Sequence, residues 1–212
     1  MNKWVIGARL RTLPAAVAPV VVATALAGSS ASLLPALLAL LVSLSLQVGV
    51  NYANDYSDGV RGTDNNRVGP TRITASGLAS PAAVKRAAFI SFAFGAVSGL
   101  ALAAMTSWWL ILVGALAILA AWGYTGGKNP YGYLGLGELF VFIFFGVVAT
   151  VGTFYVQTEQ VTLDSVLASI PMGTFSCALL AINNIRDRAL DAPAGKRTLA
   201  VRFGDRNSRI FF

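Results

Sequence analysis

The fold class this sequence predicts is an all-α, polytopic transmembrane helical bundle, and three observations predict it. Of the 212 residues, 56% are hydrophobic and only 12% charged, too little charge to cover the surface of a soluble domain of this size. Apolar runs of near-spanning length recur along the chain. The 16 Lys and Arg residues all fall in alternate loops, the asymmetry expected when one side of a bundle faces the cytoplasm.

Six apolar segments follow: 13–28, 33–52, 87–105, 108–124, 139–156 and 166–185. Several fall short of the ~20 residues a span needs, and amphipathic flanks extend them. The first follows Lys3, Arg9 and Arg11 and contains Pro14 and Pro19, which should kink it. Its basic start and small-residue end imitate a secretory signal, but with five spans behind it an uncleaved anchor is expected. The second runs on into Asn51-Tyr-Ala-Asn-Asp-Tyr-Ser-Asp58, so that 33–58 can form one helix. The third carries Gly95 and Gly99, a Gly-x-x-x-Gly step suited to close helix packing. The fourth leads into Tyr124-Thr-Gly-Gly-Lys-Asn-Pro-Tyr-Gly-Tyr133, a glycine-rich loop around Lys128. Glu138 precedes the fifth. The sixth holds the one cysteine, Cys177, and ends in Asn183-Asn184-Ile185-Arg186-Asp187-Arg188-Ala189-Leu190-Asp191. No linker or solenoid repeat divides the chain, and 1–212 reads as a single domain.

Charge follows the same alternation. Arg61, Arg67, Arg72, Lys85 and Arg86 lie after the second segment, Lys128 after the fourth, and the other seven after the sixth. The loops after the first, third and fifth carry none. This accounts for the net charge of +7 without a nucleic-acid partner. The absence of histidine removes Ser-His-Asp and Cys-His catalysis and His-ligated haem and zinc. One cysteine allows no disulfide within the chain.

Two polar clusters stand out. On a helix, Asn51, Asp55 and Asp58 fall at i, i+4 and i+7 on one face, with Asn54 beside Asp58. Asn183, Asp187 and Asp191 fall at i, i+4 and i+8 of another. Both clusters follow even-numbered spans and therefore reach the same side. Carboxylates crowded on one face repel unless a cation lies between them. Hard oxygen ligands with amide neighbours suit Mg²⁺, which usually arrives with phosphate. Asp64, Arg61, Arg67 and Arg72 in the first loop, and Lys196 and Arg197 in the last, add the acids and cations of a diphosphate site. No Gly-x-x-x-x-Gly-Lys-Ser/Thr loop is present, which disfavours nucleotide hydrolysis. A diphosphate site in a lipid-facing bundle points to a diphosphate with an apolar tail. Ionisation of an allylic diphosphate leaves a carbocation that must be kept from water. Tyr52, Tyr56, Tyr124, Tyr131 and Tyr133 are aromatic faces that could stabilise it.

The segments Asn-Asp-Tyr-Ser-Asp (54–58), Gly-Thr-Asp (62–64), Arg-Val-Gly-Pro-Thr-Arg (67–72), Tyr-Thr-Gly-Gly (124–127), Gly-Leu-Gly-Glu (135–138) and Asn-Asn-Ile-Arg-Asp (183–187) through Lys196-Arg197-Thr198 resemble the UbiA-type membrane prenyltransferases. Within them the branch acting on 1,4-dihydroxy-2-naphthoate is most similar, and the resemblance covers nearly the whole chain. It implies transfer of a polyprenyl group from polyprenyl diphosphate to the naphthoate ring with loss of CO₂, in menaquinone synthesis, at a bacterial plasma membrane with the site facing the cytoplasm. It assigns Mg²⁺–diphosphate to Asn54, Asp55, Asp58, Asp187 and Asp191, with Asp64 in place of the motif acid that is Gly62 here. It assigns the phosphates to Lys128 and Arg72, with Lys196, Asn51, Asn183, Asn184 and Tyr124 as further substrate contacts. Arg11 is expected at the acceptor carboxylate, and Glu138 to orient Lys128 or the acceptor. The family has nine spans against six here, so the resemblance also implies a C-terminus that continues, with Arg209-Ile-Phe-Phe212 opening a seventh.

Two other readings remain at this stage. One keeps the family and changes the acceptor to a hydroxybenzoate or a haem. The other is a small carrier or divalent-ion channel, which should place acids at mid-membrane or on both faces. Only Glu159 and Asp164 lie on the outer side, against that reading.

Overall fold

The apolar face of residues 33–58 and the polar face that follows it fold as one unbroken helix. This computed structural model describes residues 2–64 and 69–212, and the expectation for Arg67 lies outside the described residues. The helices are α1 (Lys3–Ala8), α2 (Pro14–Leu26), α3 (Leu33–Arg61), α4 (Pro81–Met105), α5 (Leu110–Gly123), α6 (Gly137–Thr158), α7 (Leu163–Asp191) and α8 (Leu199–Phe211). Among the described residues there is no strand.

All six expected apolar segments are helical, but they differ in reach. α3, α4, α6 and α7 are long and apolar enough to cross a bilayer. Residues Lys3–Thr12 and Pro14–Leu26 form a broken pair bent by 51°. α5 has 14 residues, about 21 Å of helix, short of a hydrocarbon core. By length and composition four helices can each cross a bilayer, or five if the bent pair counts as one, and the expected count of six rests on the shorter α5. The bend falls before Pro14, not at Pro19. Arg9 ends α1 in the left-handed region (φ 52°), a single 3₁₀ turn follows, and Pro14 opens α2. Pro19 sits buried within a continuous α2.

Helix ends are set by local chemistry. Ser80 accepts from the Ala83 N–H ahead of Pro81, starting α4. Thr162 and Ser165 form a reciprocal capping box at α7. Gly62 stops α3 at φ 76°, a left-handed conformation that glycine adopts without strain. Position 62 is the one at which the family motif usually carries an acid. Here it is a helix stop, and Asp64 lies two residues beyond.

Close packing substitutes for hydrophobic driving force between membrane helices. α4 lies along α3, with Phe92 over Gly49 and Gly95 facing Ser45, as the Gly95/Gly99 step led one to expect. α6 passes through a π-helical stretch, Phe142–Val148, and packs on α7 there. A Cβ on Gly146 would stand 2.5 Å from the Gly173 Cα, and one on Gly173 would stand 2.6 Å from the Phe142 ring. α2 packs against α3, α6 and α7. The largest buried cluster (Tyr52, Ala53, Ile73, Ala79, Val84, Ala88, Phe92 and Ala121) lies where α3, α4 and α5 meet the loop before α4.

Gly146→Ala should cost about 1–3 kcal/mol through overpacking against backbone, seen as a lowered melting temperature in detergent. Gly152→Ala, which meets nothing within 4 Å, should be neutral or mildly stabilising.

Candidate active site

The last turns of α3 bury an unusually polar face: Asn51, Asn54, Asp55 and Asp58. Each buried polar group needs a partner, and the partners build the site. Asp55 accepts from the backbone N–H of Ile73 (2.9 Å) and of Thr74 (2.8 Å), one at each oxygen. This pins the loop before α4 onto α3, with Ile73 fully buried. Its neighbour Arg72 is also buried, with Nε 3.3 Å from the Asp64 carboxylate. Arg72 Nη1 is a buried donor with no hydrogen-bond partner. Asn51 donates to the Ala8 carbonyl (2.8 Å) and to the Thr12 hydroxyl (2.9 Å), and Arg9 donates to the Asn51 carbonyl. It thereby fastens the α1–α2 bend to α3.

The second cluster lies at the end of α7. Its buried residues are Asn184, Asp187 and Asp191, spaced i, i+3 and i+7. At about 100° per residue this row drifts by only about 20°, whereas the expected i, i+8 row drifts by about 80°. Asn183 accordingly turns to its own helix and donates to the Leu179 carbonyl (2.8 Å). Asn184 donates to Glu138 at the start of α6 (2.9 Å), and the other Glu138 oxygen is buried without a hydrogen-bond partner. Arg186 grips Asp187 with two bonds of 2.7 and 2.8 Å.

Lys196 joins the two clusters. After Asp191 the chain turns back, with the Lys196 N–H on the Asp191 carbonyl (3.0 Å) and the Arg197 N–H on the Tyr133 carbonyl (3.0 Å). The buried Lys196 ammonium lies 3.5 Å from Asp58 and 3.7 Å from Asp191. Two carboxylates, 133 positions apart in sequence, thus share one cation.

The glycine-rich loop closes the site from a third side. Thr125, fully buried, donates to Asn54 (2.7 Å). Tyr133 donates to Asp58 (2.8 Å), and its ring carries the Arg61 guanidinium at 5.1 Å and the Lys196 ammonium at 5.5 Å. Burial, then the Asp58 charge, holds the Tyr133 phenol well above its ordinary pKa, so it is a donor throughout the physiological range. Arg61 donates to the Thr125 and Gly127 carbonyls, fixing the loop on α3. The Tyr124 ring packs edge-on to Tyr131, which stacks on Phe140 at 4.0 Å, followed by Phe144 at 6.2 Å. A run of aromatic rings thus leads from the site along α6.

Asn54, Asp58, Asp191, Lys196 and, through Asn184, Glu138 converge at one end of the bundle. Asp64 and Arg72 form a buried pair in the adjoining loop. Lys128 and Arg11 are exposed, Lys128 just beyond the loop residues that Arg61 holds, and Glu138 meets Asn184 rather than Lys128. Sequence reasoning had not named Thr125 as a site residue, had taken Arg61 as a cation for the diphosphate rather than a clamp on the Thr125 and Gly127 carbonyls, and had taken Tyr133 as a face for a carbocation rather than a donor to Asp58. The only local signal for Thr125 and Tyr133 was their setting in a loop of Gly, Pro and Tyr.

The model of the UbiA prenyltransferase family matches residues 16–212. A 1,4-dihydroxy-2-naphthoate octaprenyltransferase of Mycobacterium tuberculosis is 53% identical over 212 residues, covering 99% of this chain and 73% of that protein. The Escherichia coli protein of the same name is 40% identical, covering 98% and 70%. Among solved structures, a UbiA homolog from Archaeoglobus fulgidus bound to DMAPP and Mg²⁺ matches with a TM-score of 0.71 at 18% identity, covering 98% of this chain and 71% of that one. The same homolog bound to GPP and Mg²⁺ gives 0.72.

Asp55→Ala should leave two buried N–H groups unsatisfied and cost about 2–4 kcal/mol, read as a lower melting temperature, while Asp55→Asn keeps one acceptor and costs less. In a phenolate absorbance titration, the difference between wild type and Tyr133→Phe should show no ionisation below pH 10, the ordinary value. A step at neutral pH would mean that the phenol is not buried against Asp58.

Proposed function

We propose that this chain, which belongs to the UbiA prenyltransferase family and is a multi-pass membrane prenyltransferase, moves a polyprenyl group from polyprenyl diphosphate to 1,4-dihydroxy-2-naphthoate at the acid-lined end of its bundle. The observation that carries the reading is the shared ammonium of Lys196, 3.5 Å from Asp58 and 3.7 Å from Asp191. The names of the relatives support the acceptor and the menaquinone pathway.

The donor set fits Mg²⁺. Mg²⁺ is commonly held by one or two carboxylates together with substrate phosphates, and Asp58 and Asp191 already flank a buried cation. No group of three or more acids, Cys or His among the described residues forms a ready cage, which suits a metal that arrives with its diphosphate. Asp58, Asp191 and Asn54 would hold the metal, with Asp187 and Asp64 completing the acidic rim. When bound, the metal would neutralise charge that develops on the departing diphosphate.

The chain's own residues supply the rest. Lys196 sits where it can turn from the carboxylates to a phosphate oxygen, and the partnerless Arg72 Nη1 is a second donor for the leaving group. Lys128, exposed on the loop, can reach the outer phosphate. Asp55 works indirectly, by holding the Arg72–Thr74 backbone. The allylic C–O bond breaks with its electron pair leaving on the diphosphate. The ring carbon bearing the carboxylate attacks the resulting cation, and CO₂ leaves with its bonding pair returned to the ring. The row Tyr124, Tyr131, Phe140 and Phe144 lines a water-poor path for the cation and its tail. By the placement of basic loops, this end faces the cytoplasm of a bacterial cell.

In a membrane-reconstituted assay with naphthoate and a prenyl diphosphate, Asp58→Ala, Asp187→Ala and Lys196→Met should each lower turnover on the order of 100-fold or more, the scale for losing one electrostatic stabiliser of a transition state. EDTA should abolish turnover and added Mg²⁺ restore it. Undiminished turnover in EDTA would refute the metal-dependent reading.

A further inference from the structure

The acid-lined end of the bundle carries two cations that the chemistry above does not use. Lys85 and Arg86 lie near the start of α4, and both are exposed. Four other cations near the site have partners: Arg72 with Asp64, Arg186 with Asp187, Lys196 with Asp58 and Asp191, and Arg61 with two carbonyls. Among the described residues, Lys85 and Arg86 pair with no carboxylate.

Lys85 is nonetheless held in place. Its ammonium lies 5.5 Å from the Tyr56 ring on α3 and 5.9 Å from the Trp122 ring on α5. Tyr56 stacks on Trp122 at 6.3 Å, and Phe89 packs on Trp122 at 4.9 Å. Three helices therefore fix this cation at the head of a groove. Phe89, Ile90 and Ala93 line the rest, a shallow dent open along α4 with a volume of about 410 Å³. From Lys85 to Ala93 is about 12 Å along the helix, with the charges at one end and only apolar side chains below them.

We propose that this groove binds one anionic phospholipid, its phosphate on Lys85 and Arg86 and an acyl chain along Phe89, Ile90 and Ala93. Charge complementarity selects the headgroup, because two cations without a carboxylate partner at the membrane boundary attract an anionic phosphate. The groove selects a tail, because an apolar dent at membrane depth forfeits dispersion contacts unless a chain fills it. Tyr56 lies between Asp55 and Asp58 in sequence, so the lipid would brace the back of the helix that carries the first acid cluster.

Native mass spectrometry of the detergent-purified full chain with phosphatidylglycerol and phosphatidylcholine of matched acyl chains tests this. Wild type should favour phosphatidylglycerol about 30-fold, the factor that ~1 kcal/mol from each of the two charges gives. Lys85→Gln/Arg86→Gln should abolish that preference, while the charge-matched control Lys3→Gln/Arg206→Gln keeps it. Ile90→Trp, which fills the groove and leaves both charges, should lose the bound lipid with its melting temperature unchanged. No preference in wild type, an equal loss in the control, or undiminished binding in Ile90→Trp would each overturn the site.

Discussion

A buried ammonium between two carboxylates is the constraint on which this structure turns. Taking Lys196, Asp58 and Asp191 out of water costs several kcal/mol per ion, and mutual attraction offsets that only if all three are held in register. The register comes from both sides. Tyr133 donates to Asp58 and lies under Lys196, and the turn after α7 bonds back to the Asp191 and Tyr133 carbonyls. Breaking any one of these exposes an uncompensated charge. Such a trio contributes little to stability by itself. On the proposed reading its two carboxylates are kept together to receive the metal.

The bundle around it is built for close approach rather than a large core. Many of its large side chains, such as Leu112, Leu119, Phe94 and Val97, face outward, as lipid-facing surfaces do. Contact between helices falls to small residues, at Gly49 under Phe92 and Gly146 against Gly173. Such packing leaves little slack, so the ends of α3 and α7 and the start of α6 hold fixed positions. Buried polar side chains concentrate at that end, where backbone supplies their partners: the loop residues Ile73 and Thr74 for Asp55, and Ala8 at the end of α1 for Asn51.

Much of this was legible in the sequence, for physical reasons. An apolar run followed by Asn and Asp at helical spacing could hide its acids only at a membrane boundary, and two such runs after even-numbered spans had to share a side. The convergence of Asp58 with the Asp191 segment followed from that. Finer assignments were not legible, because they depend on tertiary partners. Asn183 and Asn184 are adjacent and chemically identical, and only the drift of the helix decides which faces Glu138. Asp55 and Asp58 are equally acidic, yet a folded loop claims the oxygens of one and a lysine 138 residues away meets the other. Lys128 stands out in the sequence as the lone cation of its loop but lies exposed, while the quieter Lys196 is central. Hydropathy measures apolarity and not helix length, so α5 reads in the sequence like the other spans, although its helix has only 14 residues.

The most direct test of the central claim is anomalous diffraction from crystals of the protein grown with Mn²⁺ in place of Mg²⁺ and a non-hydrolysable prenyl diphosphate analogue. The account predicts manganese density bridging the analogue's phosphates to both Asp58 and Asp191, with the Lys196 ammonium displaced toward a phosphate oxygen. Manganese and diphosphate contacting only one of the two acidic segments, with Lys196 still bound between Asp58 and Asp191, would contradict it.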